Sequence, residues 1–356
     1  MKFSLDAHKL HHHLDRVLEF KQTGDCAPIY MEVSPCGSCN HRCLFCAYDY
    51  IAYPNRKLDT DNFIKFTTEV AKAGLKSMLF AGEGEPLIHN DIDKMVAHAK
   101  QCGIDCGMFS NAALLKADLA KKLLPNLTFL RFSFNAGDSQ TYSKIHTSHK
   151  KSSDFEKVVE NIKFANDYRK EQNLKVDLGS QFVLLKENKN SLINAVKTMK
   201  ECGVDYISVK PFVLQNENQL YKNNSKFETD QLETLINEAK SYESDDFKVI
   251  FRQNAFFKYG QRDYSHCYGC SFITVLNSAG DLASCLPYWD KKEFVYGNIN
   301  EQSFEAIWKS DKRRIVKHLL ENKLNAKQCP PNCRPNSINE FLNEILNPDV
   351  KHINFI

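Results

Sequence analysis

Three stretches of the chain repeat one arrangement of apolar and polar positions. In each, a helix with one apolar face ends at a glycine and is followed at once by a short apolar run that is typical of a buried strand. The glycines and the strands predicted after them are Gly74 with residues 77–80, Gly103 with residues 106–109, and Gly203 with residues 206–209. The clearest of these helices carries Phe63, Phe66 and Val70 at helical spacing. The chain therefore repeats a helix-strand unit.

Further apolar runs predict strands at residues 29–33, 128–134 and 176–185. About six strands then alternate with helices between residues 29 and 210, and each connection is long enough for a crossover helix. This order predicts an α/β fold with a parallel sheet or partial barrel and helices outside it.

The pattern changes from about residue 222 onward. We predict a helix at 227–242, a strand at 247–251, a cysteine-rich segment from Cys267, and a closing helix at 336–346. The predicted organisation is an N-terminal helical extension laid against the barrel, the partial barrel, a connecting segment and a smaller C-terminal cysteine-rich α+β extension. Their ranges are 1–28, 29–221, 222–265 and 266–356.

Composition narrows the class of protein. The 356 residues are 42% hydrophobic and 26% charged, as in folded globular proteins, and the net charge of +3 does not favour nucleic-acid binding. No run approaches the roughly 20 apolar residues of a membrane span, and the first residues lack the apolar core of a signal peptide. We therefore predict a cytoplasmic protein without a membrane partner. Its 13 cysteines indicate metal or redox chemistry, because a chain of this length does not need disulfides to fold.

Polar residues follow the predicted strands at the points where each strand ends. In parallel sheets such positions share one rim, where chemistry takes place. Any one of these polar residues alone would be expected in a solvated turn. Because they share one rim, a functional role is favoured for the group. They are Gly84 and Glu85 after the second strand, Ser110 and Asn111 after the third, Ser133 and Asn135 after the fourth, Gln181 on the fifth and Lys210 on the sixth.

Cys39, Cys43 and Cys46 place three thiols within eight residues on the loop after the first strand. Structural zinc sites and ferredoxin-type clusters use four protein ligands. Three cysteines would leave one iron of a four-iron cluster open to a cofactor. Cys36 is a candidate fourth ligand that would instead close the site.

The Cx3Cx2C spacing, with Phe45 before the last cysteine, resembles the signature of the radical S-adenosylmethionine (SAM) enzymes. Gly84, Glu85 and Pro86 match the end of the family's Gly-Gly-Glu-Pro motif, with Glu83 in place of the first glycine. The resemblance implies a partial (β/α)6 TIM-like barrel and a [4Fe-4S] cluster bound by the three cysteines. It also implies reductive cleavage of SAM to a 5′-deoxyadenosyl radical that abstracts hydrogen from a substrate.

The same resemblance gives the rim residues a role in binding SAM. It implies that Gly84 and Glu85 hold the methionine amino group. It implies contacts to the carboxylate and ribose from Ser110, Asn111, Ser133 and Asn135, with Gln181 or Lys210 assisting.

Five cysteines lie near the end of the chain, and their spacing is Cx2C, nine residues, Gx4C, a long gap and Cx3C. They are Cys267, Cys270, Cys285, Cys329 and Cys333. Four thiolates also suit zinc. The spacing resembles the SPASM and twitch extensions of radical SAM enzymes, which implies one auxiliary [4Fe-4S] cluster, since five thiols are too few for two. Which four of the five bind is left open.

Cys106 alternates with Met108 and Ser110, so its thiol is a candidate hydrogen donor inside the barrel, although a buried apolar thiol is the simpler interpretation.

The leading functional hypothesis is oxidation or epimerisation of a small polar substrate such as a sugar, nucleotide sugar or aminocyclitol, with flavodoxin or ferredoxin as electron donor. One alternative is a peptide-modifying maturase, for which the 28 residues before the first strand are few to hold a leader-binding domain. The other is a non-catalytic structural metal-binding protein.

Overall fold

The computed structural model describes residues 8–147, 154–214, 218–222, 227, 229–252, 255–256, 260–331 and 333–355. The α-helices in this part of the chain are α1 (Leu14–Thr23), α2 (Thr60–Lys72), α3 (Ile92–Gln101), α4 (Ala117–Leu123), α5 (Ser139–His146), α6 (Phe155–Glu171), α7 (Leu192–Glu201), α8 (Thr229–Lys240), α9 (Phe304–Trp308), α10 (Asp311–Asn322) and α11 (Asn336–Leu346). The strands are β1 (Tyr30–Val33), β2 (Ser77–Phe80), β3 (Asp105–Ser110), β4 (Phe129–Ser133), β5 (Asp177–Leu184), β6 (Tyr206–Pro211), β7 (Lys248–Phe251), β8 (Ile273–Leu276), β9 (Asp281–Ala283) and β10 (Val295–Asn298). None of these helices is long and apolar enough to cross a membrane.

All ten strands form one sheet in the order β10-β9-β8-β1-β2-β3-β4-β5-β6-β7. The eight strands from β8 to β7 are parallel, and β9 and β10 add an antiparallel edge. In the described residues the two outer strands do not pair with each other, so the barrel is open. The predicted α/β class and partial parallel barrel are confirmed.

The sheet extends past both ends of the predicted six-stranded unit. β7 lies in the predicted connecting segment, yet it pairs with β6, with Val209 beside Phe251. β8 belongs to the C-terminal extension, yet it pairs with β1, with Tyr30 beside Ile273. Both pairings cover strand edges whose backbone groups would otherwise lack partners. The extension is therefore continuous with the barrel sheet.

Alternation along the strands separates two faces. Residues such as Leu130 and Phe132 are fully buried in the core that packs against the helices. The opposite face surrounds the interior of the barrel, which we call the lumen. Two glycines there make room for aromatic rings, because a Cβ on Gly107 or on Gly179 would lie within about 2.3 Å of the ring of Phe129 or Tyr206. These rings line the lumen near the amino ends of the strands.

Helix α1 packs its buried face on the C-terminal extension. Val17 and Phe20 share one apolar cluster with Phe272 and Leu342, whereas we predicted a helix laid against the barrel. A contact to the barrel side remains, since Arg16 donates to the carbonyl of Ala73 after α2. The sequence predicted this helix but not which surface would cover it.

A buried arginine fixes the chain after α1. The guanidinium of Arg313 in α10 donates two hydrogen bonds of 2.7 Å to the carboxylate of Asp25 and stacks 3.6 Å above the ring of Trp308. Arg313 is 2% exposed, so this pair is shielded from water on the arginine side.

We predict that Arg313→Met lowers the free energy of unfolding by about 2–3 kcal/mol, because it leaves Asp25 without its partner. The matched control is Arg314→Met, since Arg314 pairs with Asp311 on the surface and such pairs contribute about 1 kcal/mol or less. Urea unfolding under anaerobic conditions measures both. Equal losses in the two variants would contradict the structural role of Arg313.

Candidate metal centre and active site

The thiols of Cys39, Cys43 and Cys46 lie together on the loop that follows β1. Loss of hydration raises the pKa of the Cys43 thiol well above its usual range, and the nearby Cys39 and Cys46 thiols raise it further. Loss of hydration also raises the pKa of Cys39 to about 12. Three neutral thiols held this close, each partly exposed, suit a cationic metal group that would convert them to thiolates.

Tyr53 lies beside this group. Its buried hydroxyl interacts with the Cys46 thiol, and the Arg42 guanidinium lies 3.9 Å from its ring centre. The backbone of Tyr53 and of the preceding Ala52 is left-handed, with φ of 51° and 58°, which is uncommon for residues other than glycine. A sulfur-rich ligand set with a tyrosine hydroxyl beside one of its thiols fits an iron-sulfur cluster.

The cysteine loop is held against the end of β2. The backbone N–H of Glu85 donates to the carbonyl of Ser38 at 2.9 Å, and a Cβ on Gly84 would lie 2.0 Å from that same oxygen. Only glycine permits this approach of the two chains. The Cys36 thiol lies 3.0 Å from the Glu85 carbonyl and donates to it, so Cys36 is engaged in fastening the loop.

Three predicted cofactor-binding residues meet at this rim. The Glu85 carboxylate accepts from the hydroxyl of Ser110 at 2.7 Å and from the backbone N–H of Asn111 at 2.8 Å. Burial raises the pKa of the Glu85 carboxyl to about 7, against the opposing effect of these hydrogen bonds. The Asn111 side chain donates to Asn40 in the cysteine loop at 2.8 Å. The rim and the loop thus form one hydrogen-bonded unit.

Glu83, which departs from the family motif, has a structural use. Its carboxylate accepts from Arg56 at 2.6 Å and from the backbone N–H of Ser278 at 3.0 Å. It therefore links the end of β2 to the turn after β8. A glycine at this position could not make that connection.

The remaining rim candidates divide into two kinds. Ser133 and Gln181 are paired in register on β4 and β5 and are partly exposed, as is Lys210 on β6. Asn135 differs: it is 1% exposed, and its side-chain oxygen accepts from the backbone N–H of Val183 at 2.6 Å. The predicted direct contact of Asn135 to SAM is therefore corrected to a supporting role, because its amide is already used within the protein.

The suggested hydrogen-donor role of Cys106 also needs correction. Its thiol is fully buried among the residues that pack against the helices, 3.8 Å from the carbonyl of Val96 in α3. It therefore faces away from the lumen. Cys106 does alternate along β3 with Met108, but we assigned these residues to the lumen face, whereas Cys106 lies on the face that packs against the helices.

His146 was missed by sequence reasoning. It ends α5, is fully buried, and stacks on Tyr142 with ring centres 4.2 Å apart. Its Nδ1 lies 3.3 Å from the Cys43 sulfur, and together with His41 the two residues form a group of potential metal-binding side chains. No local pattern marks a single histidine 103 residues after its cysteine neighbour.

The five C-terminal cysteines form a second group. Burial raises the pKa of the Cys333 thiol well above its usual range, and the thiols of Cys267, Cys285 and Cys329 raise it further. Cys270 is adjacent, since its thiol donates to the Cys267 carbonyl at 3.1 Å.

Two polar side chains support this second group. The amide of Asn339 donates to the Cys267 sulfur at 3.5 Å, and the buried Arg262 donates to the carbonyls of Cys329 and Pro330. This thiol-rich site also fits an iron-sulfur cluster.

Comparison with known proteins agrees with this geometry. Residues 33–197 match the radical SAM superfamily, and residues 267–334 match the SPASM iron-sulfur cluster-binding domain. The chain belongs to the radical SAM superfamily, with a SPASM domain C-terminal to its radical SAM domain. It is therefore an enzyme whose cofactors are SAM and [4Fe-4S] clusters.

Several individual proteins are similar over most of the chain. The tungsten-containing aldehyde ferredoxin oxidoreductase cofactor-modifying protein of Pyrococcus furiosus is 23% identical over 322 residues, which are 83% of this chain and 84% of that protein. GTP 3′,8-cyclase of Staphylococcus aureus is 24% identical over 307 residues, which are 78% of this chain and 86% of that protein. SuiB of Streptococcus suis bound to SAM aligns with a TM-score of 0.63 at 17% identity, covering 86% of this chain and 72% of SuiB. SuiB is also known with its precursor peptide SuiA bound.

We predict that Gly84→Ala disrupts the cysteine loop, because the new methyl group would collide with the Ser38 carbonyl. The expected result is loss of most of the iron held by the first cysteine group, measured as bound iron after anaerobic reconstitution. The matched control is Gly103→Ala, whose added methyl group meets no atom within 4 Å. Because Gly103 has a φ of 80°, alanine there strains the backbone away from the cysteine loop, so this variant controls for a general loss of stability. Unchanged iron in Gly84→Ala would show that the loop does not depend on this contact.

Proposed function

We propose that this enzyme cleaves SAM reductively at a [4Fe-4S] cluster held by Cys39, Cys43 and Cys46, and abstracts hydrogen from a small polar substrate. The observation that carries the proposal is the group of three thiols fastened to a polar rim at the carboxyl ends of parallel strands. When bound, the cluster and SAM supply a carbon radical strong enough to remove a hydrogen atom from an unactivated C–H bond.

The residues of the rim have distinct roles in this proposal. The Glu85 carboxylate accepts three hydrogen bonds, from Ser110, Asn111 and the backbone N–H of Leu87. A carboxylate has about four acceptor positions. One position therefore remains for the amino group of SAM. Ser133, Gln181 and Lys210 lie farther round the lumen, where we place contacts to the rest of SAM or to the substrate.

The C-terminal thiols hold one auxiliary [4Fe-4S] cluster in this proposal. Its ligands are Cys267 or Cys270 together with Cys285, Cys329 and Cys333, and if both members of the first pair bind, one later cysteine is spare. The site lies on the extension that shares a sheet with the barrel. An auxiliary cluster there is suited to accept an electron from the substrate radical during an oxidation.

The substrate class we favour is a sugar, nucleotide sugar or aminocyclitol, converted by oxidation or epimerisation. The similarity to GTP 3′,8-cyclase supports a nucleotide-type substrate. A peptide is the second candidate, supported by the fold similarity to SuiB with its precursor peptide. We place the enzyme in the cytoplasm, with flavodoxin or ferredoxin as its electron donor.

The first test compares anaerobically reconstituted wild type with a variant in which Cys39, Cys43 and Cys46 are all alanine. Wild type should bind about eight irons and the variant about four, consistent with one remaining four-iron cluster. Reductant-dependent formation of 5′-deoxyadenosine should be lost in the variant. Both changes follow because only the first cluster can bind SAM.

Cys36→Ser is the matched control, since it removes a neighbouring thiol but leaves a hydroxyl that can still donate to the Glu85 carbonyl. It should keep SAM cleavage if Cys36 is not a ligand. Zinc in place of iron, or absence of 5′-deoxyadenosine from the wild type with a strong reductant, would favour the structural metal-binding alternative.

A further inference from the structure

Cationic side chains from four separate parts of the chain converge on the lumen. They are Arg131 on β4, Lys210 on β6, Arg252 directly after β7 and Arg334 two residues before α11. The three arginines lie near Lys210, and their positive charges lower the pKa of its ammonium group. The lumen therefore gathers positive charge that neither cluster site requires.

The positions of these groups follow from the sheet. The backbone N–H of Arg252 donates to the carbonyl of Val209 at 3.0 Å, so Lys210 and Arg252 are neighbours on one face of adjacent parallel strands. Arg131 is held by its bond to the Tyr206 hydroxyl at 3.0 Å and lies 4.9 Å from the centre of the Phe109 ring. The cations are thus placed by rigid elements.

The acids near this layer are already engaged or lie at its amino end. Glu32 is paired with Arg334 and with the hydroxyl of Tyr30, and Asp177 at the start of β5 lies near Tyr206. Glu32 also acts on the Lys210 ammonium, but three guanidinium groups oppose it. Desolvation by the barrel walls lowers the pKa of Lys210 to about 7, and the neighbouring guanidinium groups act in the same direction.

The lumen face is also accessible. Arg131, Ser133 and Gln181 retain partial exposure, whereas Leu130 and Phe132, which alternate with them on β4, are fully buried. A desolvated ammonium near three guanidinium groups is costly, and an anionic ligand would relieve that cost through charge-assisted hydrogen bonds.

We propose that the lumen binds an anionic group of the substrate, a phosphate or a carboxylate, and that Lys210 is its principal partner. This inference rests on the proposed function and narrows it. A phosphorylated sugar or nucleotide sugar fits the lumen, whereas a cationic aminocyclitol does not.

The test uses the reconstituted holoenzyme saturated with SAM, titrated anaerobically by calorimetry with inorganic pyrophosphate and, separately, with malonate. At least one anion should bind, and Lys210→Met should weaken that binding at least tenfold. Lys163→Met, which removes an exposed lysine from α6, is the matched control and should bind as wild type does. The anion that binds more tightly distinguishes a phosphate-bearing from a carboxylate-bearing substrate.

Three results would overturn the inference. The wild type could bind neither anion, or Lys210→Met could bind the anion as tightly as the wild type does. The third is that Lys210→Met weakens the binding of SAM and leaves the binding of the anion unchanged. If Lys210→Met does not fold, Lys210→Gln replaces it. In either case the affinity of the wild type for the anion must fall as the salt concentration is raised. Measuring 5′-deoxyadenosine on the same samples separates the two hypotheses. Anion binding without SAM cleavage would refute the proposed function alone.

A separate observation concerns His146. The side-chain oxygen of Asn135 accepts from the Val183 N–H, which turns its NH₂ group toward His146 Nε2 at 3.3 Å. The backbone N–H of Asn135 also points at that nitrogen, at 3.3 Å. Two donors aimed at Nε2 leave it unprotonated, so the ring proton resides on Nδ1, which faces the Cys43 sulfur at 3.3 Å.

We infer that His146 is a positioning residue that donates an N–H···S hydrogen bond to Cys43 when Cys43 holds the cluster. Hydrogen bonds to cluster sulfurs stabilise the reduced state and raise the reduction potential. This inference also rests on Cys43 being a ligand, which the iron content of the triple cysteine variant tests independently.

Removing the donor by His146→Phe should shift the midpoint potential of the SAM-sensitive cluster to a more negative value, measured by redox titration with electron paramagnetic resonance. His146→Gln, which can still donate, should restore part of the shift. Tyr142→Phe is the matched control, because the Tyr142 hydroxyl is buried without a hydrogen-bond partner among the described residues. An unchanged potential in His146→Phe with full iron content would overturn the inference. If His146→Phe does not load iron, His146→Leu replaces it as the variant without a donor, and a potential equal to that of Tyr142→Phe would then overturn the inference.

Discussion

The backbone contact between the cysteine loop and the end of β2 is the constraint on which the rest of the site depends. Gly84 and Ser38 approach so closely that no side chain fits between them. This contact sets the cysteine group beside Glu85, and Glu85 in turn bonds to the end of β3. A sequence of short hydrogen bonds thus connects three neighbouring strand ends. The site owes its geometry to the sheet, with the loop fastened onto it.

Charge is distributed unevenly around this frame. The rim of β2 and β3 presents carboxylates that are already hydrogen-bonded, whereas the opposite part of the lumen gathers Lys210, Arg131 and Arg252. The two regions suit different ligands: an amino group near Glu85 and an anion near Lys210. Such a separation would orient a pair of bound molecules without a large change in the protein.

Sequence patterns predicted the repeating parts of this structure well. The helix with Phe63, Phe66 and Val70 lies over Thr60–Lys72, and the strand predicted at 77–80 is β2. Local periodicity is sufficient there because each unit buries its own apolar face. The pairing of β8 with β1 was not predictable in that way, since it joins segments far apart in the chain. Cys106 was misplaced for a related reason: alternation gives two faces but does not say which one meets the helices.

The site was predicted where chemistry concentrates residues of one kind within a few positions, as in Cys39 to Cys46. It was missed where a single residue arrives from elsewhere, as His146 does at the end of α5. Asn135 is a third case, in which a polar residue at a strand end is used by the protein itself. Only the surrounding contacts distinguish such a residue from one that faces a ligand.

The pairing of Tyr30 with Ile273 has a consequence for how the molecule is made. β1 precedes β8 in the chain, so its second neighbour becomes available only after the intervening strands and helices have been synthesised. One edge of β1 therefore stays unpaired until β8 has been made. Contacts between segments that are distant in the chain also slow folding. The barrel and its C-terminal extension would mature together as one cooperative unit. A shortened chain that ends before β8 would retain every residue of the first cysteine group and still lack a finished sheet to carry it.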